Sequence, residues 1–345
     1  MKHLSRSLFL VAIMVTVVQS SRTQWIRVGV PMDILFVAVT PSSSGKSATN
    51  LFAYSNKFGL YNSTDVGRTW ITVGRDLNSL AIQALTASGN CLFAATYFRG
   101  VQRSTDNGET WSSANKGLPS PASDYAGDVW LKTVAVNGPN LFVGGYRGVF
   151  RSTDKGETWN SVNAELKSII PRPMTGDARP PAIMFLRASD GYLFAGAAVS
   201  GVYLSTNNGK NWTDLSEGLP GTPGWTHLAG LAVTGSDLYA AIAGSGVFRS
   251  PDDGRSWTAV NAGLPGADVR SLAASGGSVF AGSLDGGVFL STNKGAKWCA
   301  VRTGLPGNRV LDLVASGDYL FAVAYPAGLY RRSISEMIAE ASKVQ

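Results

Sequence analysis

Aromatic residues stand beside Arg, Asp or His at several points of this sequence, and that combination suits recognition of a sugar ring or an extended peptide. Flat ring faces stack on such ligands, while the charged groups fix their orientation. We predict a ligand-binding surface that contains Tyr97, Arg99, Tyr125, Asp128, Trp130, Tyr146, Arg147, Trp225, His227, Asp285 and Tyr325. The alternative is that these aromatic residues only pack against loop insertions or plug the mouth of a tunnel.

Catalytic chemistry has less support in the sequence. A glycoside hydrolase needs two carboxyl groups about 5–10 Å apart, and the spacing of the acidic residues pairs no two of Asp76, Asp124, Asp128, Asp268, Asp285 and Asp312. His227 is an acid–base candidate because imidazole titrates near neutral pH, but a single His beside Trp225 is more often a loop residue. We predict no catalytic residue, no metal site and no cofactor. If the protein is an enzyme, a glycoside hydrolase is the expected class.

One eight-residue pattern occurs six times and reads Ser-Thr-(Asp/Asn)-x-Gly-x-x-Trp, with Pro251 as the one departure at the second position. We call these six segments the box turns. Their repeated side chains are Asp65, Gly67, Trp70, Asp106, Gly108, Trp111, Asp154, Gly156, Trp159, Asn207, Gly209, Trp212, Asp252, Gly254, Trp257, Asn293, Gly295 and Trp298.

The box turns have the chemistry of tight hairpins. Their Asp or Asn side chain accepts backbone N–H groups, and the Gly supplies a positive φ that a Cβ would disfavour. Each Trp then begins the next strand as a large apolar group. The pattern therefore predicts turns with a structural role, whose tryptophans pack between neighbouring sheets.

The box turns resemble the Asp-box, or BNR repeat, of secreted β-propellers, and the resemblance covers almost the whole chain after its first two dozen residues. Sialidases, xyloglucan-degrading enzymes, sortilin-type receptors and photosystem II assembly factors all carry this repeat, so the resemblance implies a fold and not an activity. The Arg-Ile-Pro motif of the sialidases is missing. The xyloglucan-degrading relatives use two propellers and an Asp where Asn56 stands here.

Strand spacing predicts the number of blades. A Leu-Phe-Ala-like strand occurs seven times, from residues 51–53 to residues 320–322, and the last repeat lacks the Asp, Gly and Trp of a box turn. Residues 25–30 resemble the segment that follows the first box turn. We predict an all-β, seven-bladed β-propeller of four-stranded antiparallel blades, in which the N-terminal strand completes the last blade and removes free sheet edges.

The two faces of this ring are predicted to differ. All box turns lie on one face, since turns alternate between the faces of a four-stranded blade. The opposite face receives the insertions at residues 120–130, 169–183 and 222–227. Variable loops on a rigid scaffold commonly carry binding sites, and the predicted ligand-binding residues fall on this face.

The N-terminal segment of the chain predicts export. Residues 1–21 combine a basic start, an apolar run and small residues, as secretory signal peptides do; an uncleaved anchor is the alternative. We predict a signal peptide at 1–21, the propeller at 22–333 and a short C-terminal tail at 334–345.

Cys91 and Cys299 lie in different repeats and are predicted to be free, buried thiols. The formal charge of +7 includes no Lys/Arg-rich run, which does not support nucleic-acid binding.

These observations predict a secreted or periplasmic, monomeric and non-catalytic propeller. It would have no membrane span after signal removal and would bind a glycan or protein ligand on the face opposite the box turns. One alternative is a glycoside hydrolase or lyase that uses rim carboxylates. Another, implied by the resemblance, is an assembly factor for a membrane protein complex.

Overall fold

Seven four-stranded antiparallel sheets form the molecule, and each sheet is one blade of a β-propeller. The computed structural model describes residues 24–30, 33–40, 50–77, 80–119, 130–166, 180–189, 191–197, 201–220, 228–266 and 268–343. The predicted signal peptide lies outside the described residues.

The strands follow in chain order from the N-terminal β1 (Ile26–Arg27). Blade 1 contains β2 (Phe36–Thr40), β3 (Asn50–Ser55), β4 (Gly59–Ser63) and β5 (Ile71–Val73), followed by a 3-10 turn at Arg75–Leu77. Blade 2 contains β6 (Ile82–Ser88), β7 (Cys91–Thr96), β8 (Gly100–Ser104) and β9 (Ser112–Ser113). Blade 3 contains β10 (Leu131–Asn137), β11 (Asn140–Gly145), β12 (Gly148–Ser152) and β13 (Asn160–Ser161). Blade 4 contains β14 (Ile183–Ser189), β15 (Tyr192–Ala197), β16 (Gly201–Ser205) and β17 (Thr213–Asp214).

The remaining blades repeat this arrangement. Blade 5 contains β18 (Leu228–Thr234), β19 (Asp237–Ile242), β20 (Gly246–Ser250) and β21 (Thr258–Ala259). Blade 6 contains β22 (Val269–Ser275), β23 (Ser278–Ser283), β24 (Gly287–Ser291) and β25 (Cys299–Ala300). Blade 7 contains β26 (Val310–Ser316), β27 (Tyr319–Ala324) and β28 (Gly328–Ser333), and the helix α1 (Ile334–Ala341) follows it.

The second strand of every blade places one aromatic ring in the core. These rings are at most 1% exposed and belong to Phe52, Phe93, Phe142, Phe194, Tyr239, Phe280 and Phe321. Burial of such a side chain contributes about 1.5–3 kcal/mol. Phe93 of blade 2 packs in one cluster with Trp159 of blade 3, so the core lies between blades and joins each sheet to the next.

The box turn of blade 2 shows how the octet folds. Ser104 Oγ accepts the N–H of Gly108 at 2.9 Å and donates to Asp106 Oδ1 at 2.7 Å. The hydroxyl and N–H of Thr110 donate to the same carboxylate, and these bonds lower the pKa of Asp106 to about 2. Gly108 has φ +90°, as predicted, but Asn107 before it is also left-handed, with φ +58°.

The box-turn tryptophans of blades 3 to 6 tie each of these blades to the one before it. The N–H of Trp159 donates to the Lys116 carbonyl at 2.9 Å, and its indole Nε1–H donates to the Ala114 carbonyl at 2.8 Å. Trp25 makes the same pair of bonds, to Thr303 at 3.0 Å and to Val301 at 2.7 Å. Trp25 therefore supplies the seventh tryptophan from the other end of the chain.

The ring is closed by the N-terminal strand, as predicted. Strand β1 pairs antiparallel with β28, with Ile26 opposite Arg331 and Arg27 opposite Tyr330. Sheet order β1-β28-β27-β26 makes blade 7 a four-stranded sheet built from both ends of the chain.

Helix α1 replaces the seventh box turn. Arg332 lies opposite Leu320, where the other blades have the box-turn serine, so Ile334 takes the position of the Asp or Asn. The hydroxyl oxygens of Ser333 and Ser335 are 2.9 Å apart. Glu336 takes the position of the Gly, and Met337 after it is fully buried against blades 6 and 7. The fully buried Arg332 guanidinium forms an ion pair with Glu340, which also accepts a bond from Thr303 Oγ1 at 3.0 Å.

Arginines that precede the box turns reach across blade boundaries. Arg103 of blade 2 pairs with Glu157 in the box turn of blade 3. Arg331 of blade 7 donates to the Val66 carbonyl in the box turn of blade 1. These contacts supplement the apolar packing between neighbouring sheets.

Both cysteines are free, and only Cys299 is buried. The prediction of a buried thiol is wrong for Cys91, which is half-buried because its side chain lies at the sheet end near Arg103 Nη2, 3.9 Å away. Within the described ranges, no helix combines the length and hydropathy needed to cross a membrane.

Candidate functional site

The loops opposite the box turns are held by backbone hydrogen bonds to the start of the innermost strands. The N–H of Tyr97 donates to the Ala81 carbonyl at 3.2 Å, and the N–H of Tyr146 donates to the Trp130 carbonyl at 3.2 Å. These bonds set each loop beside the residue that precedes or opens the innermost strand of its own blade. They bring the aromatic side chains of blades 2 and 3 to the same part of the rim.

Four aromatic side chains meet there, and we call Tyr97, Phe98, Trp130 and Tyr146 the aromatic cluster. The rings of Tyr97 and Trp130 stack with centroids 5.1 Å apart and planes 12° from parallel. Tyr146 meets Trp130 edge-on at 4.9 Å, and Phe98 meets Tyr97 edge-on at 4.7 Å. Phe98 is 51% and Tyr146 is 41% exposed, so the two outer rings present apolar surface to solvent.

A lysine lies beneath this cluster. Lys132 Nζ is 4.6 Å from the centroid of the Tyr97 ring and donates to Gln83 Oε1 at 3.1 Å. Burial lowers the pKa of Lys132. Ring quadrupoles attract ammonium groups, so Lys132 and Gln83 add a cation and an amide to the aromatic surface.

Sequence reasoning missed Lys132 and Gln83. Both are the second residue of an innermost strand, at a register shift that separates Leu131 from Thr133 and Ile82 from Ala84. The available signal was the presence of an amide and an ammonium side chain near the start of mostly apolar strands. Such side chains are rarely found at buried core positions.

Trp130 also has an unused donor. Its indole nitrogen is buried, and no acceptor among the described residues bonds to it. Buried indole N–H groups normally find a partner. This donor lies in the middle of the aromatic cluster.

Arg99 and Arg147 lie in the same two loops as Tyr97 and Tyr146. Their backbone carbonyls accept bonds from Asn115 Nδ2 at 2.9 Å and Asn163 Nδ2 at 3.1 Å, which anchor the loops to the outer edges of their blades. Arg99 is exposed and Arg147 is half-buried. The other residues predicted for this rim, Tyr125, Asp128, Trp225 and His227, lie outside the described residues.

Asp285 and Tyr325 belong to a separate part of the face. Tyr325 is 44% exposed and lies under the Arg309 guanidinium at 5.5 Å, on blade 7. Asp285 accepts a hydrogen bond from Ser283 within its own loop on blade 6. Those predicted ligand-binding residues that the structure describes therefore fall into two groups, and of these the group on blades 2 and 3 forms an aromatic cluster.

Among the described rim carboxylates Asp76 is exposed, whereas Asp268, Asp285 and Asp312 are engaged in local bonds. Asp268 pairs with Arg270 at 2.7 Å, and Asp312 accepts the N–H of Val37 at 3.1 Å and the hydroxyl of Ser271 at 3.2 Å. The structure describes no group of three or more His, Cys, Asp and Glu side chains that could hold a metal ion. The two carboxylates on which an enzymatic reading most depends, Asp124 and Asp128, are outside the described ranges.

Solved structures with the same architecture come from proteins of several functions. A GH74 xyloglucanase from Xanthomonas campestris shares 18% identity, with 91% of this chain and 54% of that chain covered and a TM-score of 0.65. YCF48 bound to D1 peptide shares 16% identity over 90% of this chain and 96% of that chain, with a TM-score of 0.65. The extracellular domain of a putative one component system from B. thetaiotaomicron shares 15% identity, with 89% and 39% covered and a TM-score of 0.63.

These likenesses establish the fold alone, since identities of this size do not carry function. The chain spans about half of the xyloglucanase and about two fifths of the solved extracellular domain from B. thetaiotaomicron. No curated protein sequence matches it. The family described as the DUF6242 beta propeller domain matches residues 11–222 and again residues 182–316, which together cover most of the chain. The chain therefore belongs to the DUF6242 beta propeller domain family.

Proposed function

We propose that the protein is an exported, non-catalytic propeller that captures a glycan or protein ligand on the face opposite the box turns. The observation that carries this proposal is the aromatic cluster of blades 2 and 3. Its outer rings, Phe98 and Tyr146, are exposed although the fold has ample buried positions for aromatic residues. Exposed aromatic groups rimmed by polar residues are typical of interaction sites.

The cluster is also rigid and chemically mixed. Tyr97 and Trp130 fix one another by stacking, so little side-chain entropy remains to be lost when a ligand binds. Lys132 and the Trp130 indole N–H, which has no acceptor among the described residues, place two donors beside the rings. Such donors suit the hydroxyl and ring oxygens of a sugar or the carbonyl oxygens of a peptide.

Export is supported by the leader-like pattern of residues 1–21 and by the extracellular location of the B. thetaiotaomicron domain. Binding without turnover is supported by the engagement of Asp268, Asp285 and Asp312 in local bonds. The structural neighbours include a xyloglucanase and a propeller bound to a peptide, so glycans and peptides are the two ligand classes to examine.

The test is a glycan array and a peptide array probed with the mature chain, followed by product analysis on every ligand that binds. We expect binding without new reducing ends or unsaturated products. Trp130→Ala and Tyr146→Ala should weaken binding at least tenfold, while Ile71→Ala, an exposed residue on the outer strand of blade 1, should not change it. Ligand cleavage abolished by Asp128→Asn would replace the proposal with a hydrolase or lyase. Binding that is unchanged in both cluster variants would remove the cluster from the site.

A further inference from the structure

The centre of the ring is lined by the seven innermost strands, and each of them packs against its neighbours on both sides. In the described parts of these strands only four residues are charged: Lys132, Arg187, Arg270 and Asp312. Lys132 and Arg270 are second residues at one mouth of the ring, and they are engaged with Gln83 and with Asp268. Arg187 is different because it is the fifth residue of β14, well inside the ring.

Arg187 is reached by solvent and is nevertheless surrounded by protein. Arg187 is exposed although its strand is the innermost of blade 4. Desolvation by the surrounding protein nevertheless lowers the pKa of its guanidinium. The two properties are compatible for a side chain that projects into a narrow central channel. Arginine still remains protonated at neutral pH, so the channel holds a permanent positive charge.

The guanidinium has no hydrogen-bond or ion-pair partner among the described residues. Five N–H donors are available on an arginine, and protein groups around a desolvated one normally accept several of them. At the same level of the ring, the other innermost strands carry few side chains that could accept a hydrogen bond. The residues at the same register are Ala38, Thr86, Ala135, Ala232, Ala273 and Val314.

Asp312 on blade 7 is the acidic group that acts electrostatically on Arg187, although burial raises the pKa of its own carboxyl. Asp312 is already engaged by the N–H of Val37 on blade 1, the hydroxyl of Ser271 on blade 6 and the N–H of Leu313. These three bonds hold the carboxylate at the channel wall. Arg187 is therefore near an acidic group without bonding to it, and its N–H donors have no acceptor in the part of the chain that the structure describes.

We infer that the central channel binds the carboxylate group of a small ligand, with Arg187 as the anchoring cation. A guanidinium presents parallel N–H groups that match the two oxygens of a carboxylate. A singly charged, planar group fits better than a doubly charged phosphate or sulfate, because Asp312 already places one negative charge nearby. The side chains at the register of Arg187 are small or apolar, and none of them carries a charge that would compete for the guanidinium. This site is separate from the aromatic cluster and goes beyond the proposed function.

The probes are sodium acetate and sodium glucuronate, titrated into the full mature chain at constant ionic strength with sodium chloride. Glucose is the neutral match for glucuronate, and sodium sulfate is the doubly charged comparison. We expect saturable calorimetric binding of acetate, glucuronate or both, with at least tenfold weaker binding of sulfate and none of glucose. Binding of acetate alone indicates a small free acid, and binding of glucuronate alone indicates an acidic sugar.

Variants locate the binding. Arg187→Gln should weaken carboxylate binding at least tenfold, and Arg187→Lys should retain part of it. Asp312→Asn should strengthen it several-fold, since the like charge is gone and an amide oxygen remains for Val37 or Ser271. Arg270→Gln is the control at the mouth of the ring, where Arg270 pairs with Asp268, and it should leave acetate binding unchanged.

Carboxylate binding that is as strong in Arg187→Gln as in the wild type would overturn the inference, and so would a wild type that binds no carboxylate. We expect Arg187→Gln to fold and to melt no lower than the wild type, because it removes a desolvated charge without a partner. If this variant does not fold, Arg187→Lys decides the matter, and unchanged affinity in that variant contradicts the assignment.

Discussion

The indole N–H of Trp25 donates to the backbone carbonyl of Val301 at 2.7 Å, across 276 positions of sequence. This bond repeats the one between Trp159 and Ala114 inside the ring. Trp25, the first tryptophan of the sequence, therefore joins the last blade to the one before it, as a box-turn tryptophan does within the ring. Ring closure consequently depends on an indole as well as on the pairing of β1 with β28.

We expect Trp25→Ala to destabilise the fold by about 3–5 kcal/mol, because it removes a large buried ring and leaves a cavity. Trp25→Phe keeps most of the ring and loses the hydrogen bond, which should cost about 1 kcal/mol plus a packing term. Urea unfolding followed by fluorescence measures both. Trp70→Phe is the control, since the Trp70 indole is half-buried and bonds to Gly67 of its own turn.

The ion pair between Arg332 and Glu340 predicts a contribution of the C-terminal helix to closure. Glu340→Gln should destabilise the protein by about 2 kcal/mol, which is less than for a fully buried pair because Glu340 is 28% exposed. Glu336→Gln on the same helix should have little effect. Equal destabilisation by the two variants would show that loss of helix charge, and not the pair with Arg332, is responsible.

Gly117 predicts where an added methyl group is not tolerated. It has φ +91°, and a Cβ there would lie 2.2 Å from the Trp159 carbonyl oxygen. Gly138 has φ +57° and open space around it. Gly138→Ala should cost about 1–2 kcal/mol from backbone strain alone, whereas Gly117→Ala should cost about 1–3 kcal/mol more from the clash. Similar unfolding midpoints for the two variants would contradict the close contact between blades 2 and 3.

The box-turn carboxylates predict acid sensitivity. Hydrogen bonds from the Thr110 side chain and backbone and from Ser104 lower the pKa of Asp106 to about 2, against about 3.9 in an unfolded chain. The folded state therefore favours the ionised form, and this contribution is complete above pH 4 and is lost as the pH falls toward 2. Asp106→Asn should flatten the pH dependence of the melting temperature between pH 4 and pH 2. The melting temperatures of the variant and the wild type at pH 7 serve as the reference for this comparison. A slope between pH 4 and pH 2 identical to that of the wild type would be inconsistent with this role.

Much of the fold was predictable because the repeat carries its own local chemistry. The seven second strands and the pairing of residues 25–30 with the last blade followed from spacing and from the resemblance between Trp25 and Trp70. The left-handed residue before each box-turn glycine was not predictable, because no one residue type occupies that position. The six residues are of four types: Val66, Asn107, Lys155, Asn208, Asp253 and Lys294. That conformation is imposed by the serine and carboxylate bonds of the turn.

The candidate site was predictable only in part. Tyr97, Trp130 and Tyr146 were identified from loop position and aromatic character, and they do meet. Lys132 and Gln83 were missed because their contact depends on the register shift of two innermost strands, which no single-strand pattern encodes. Arg187 was missed for a related reason: its channel exists only when seven distant strands close into a ring.

The most direct test of the account is the structure of the mature protein in complex with the tightest ligand from the arrays. We predict that the ligand contacts the ring faces of Phe98 and Tyr146 and accepts a hydrogen bond from Trp130 Nε1, and that it is recovered intact. A ligand bound to the box-turn face or to the outer edges of the blades would contradict the proposed function.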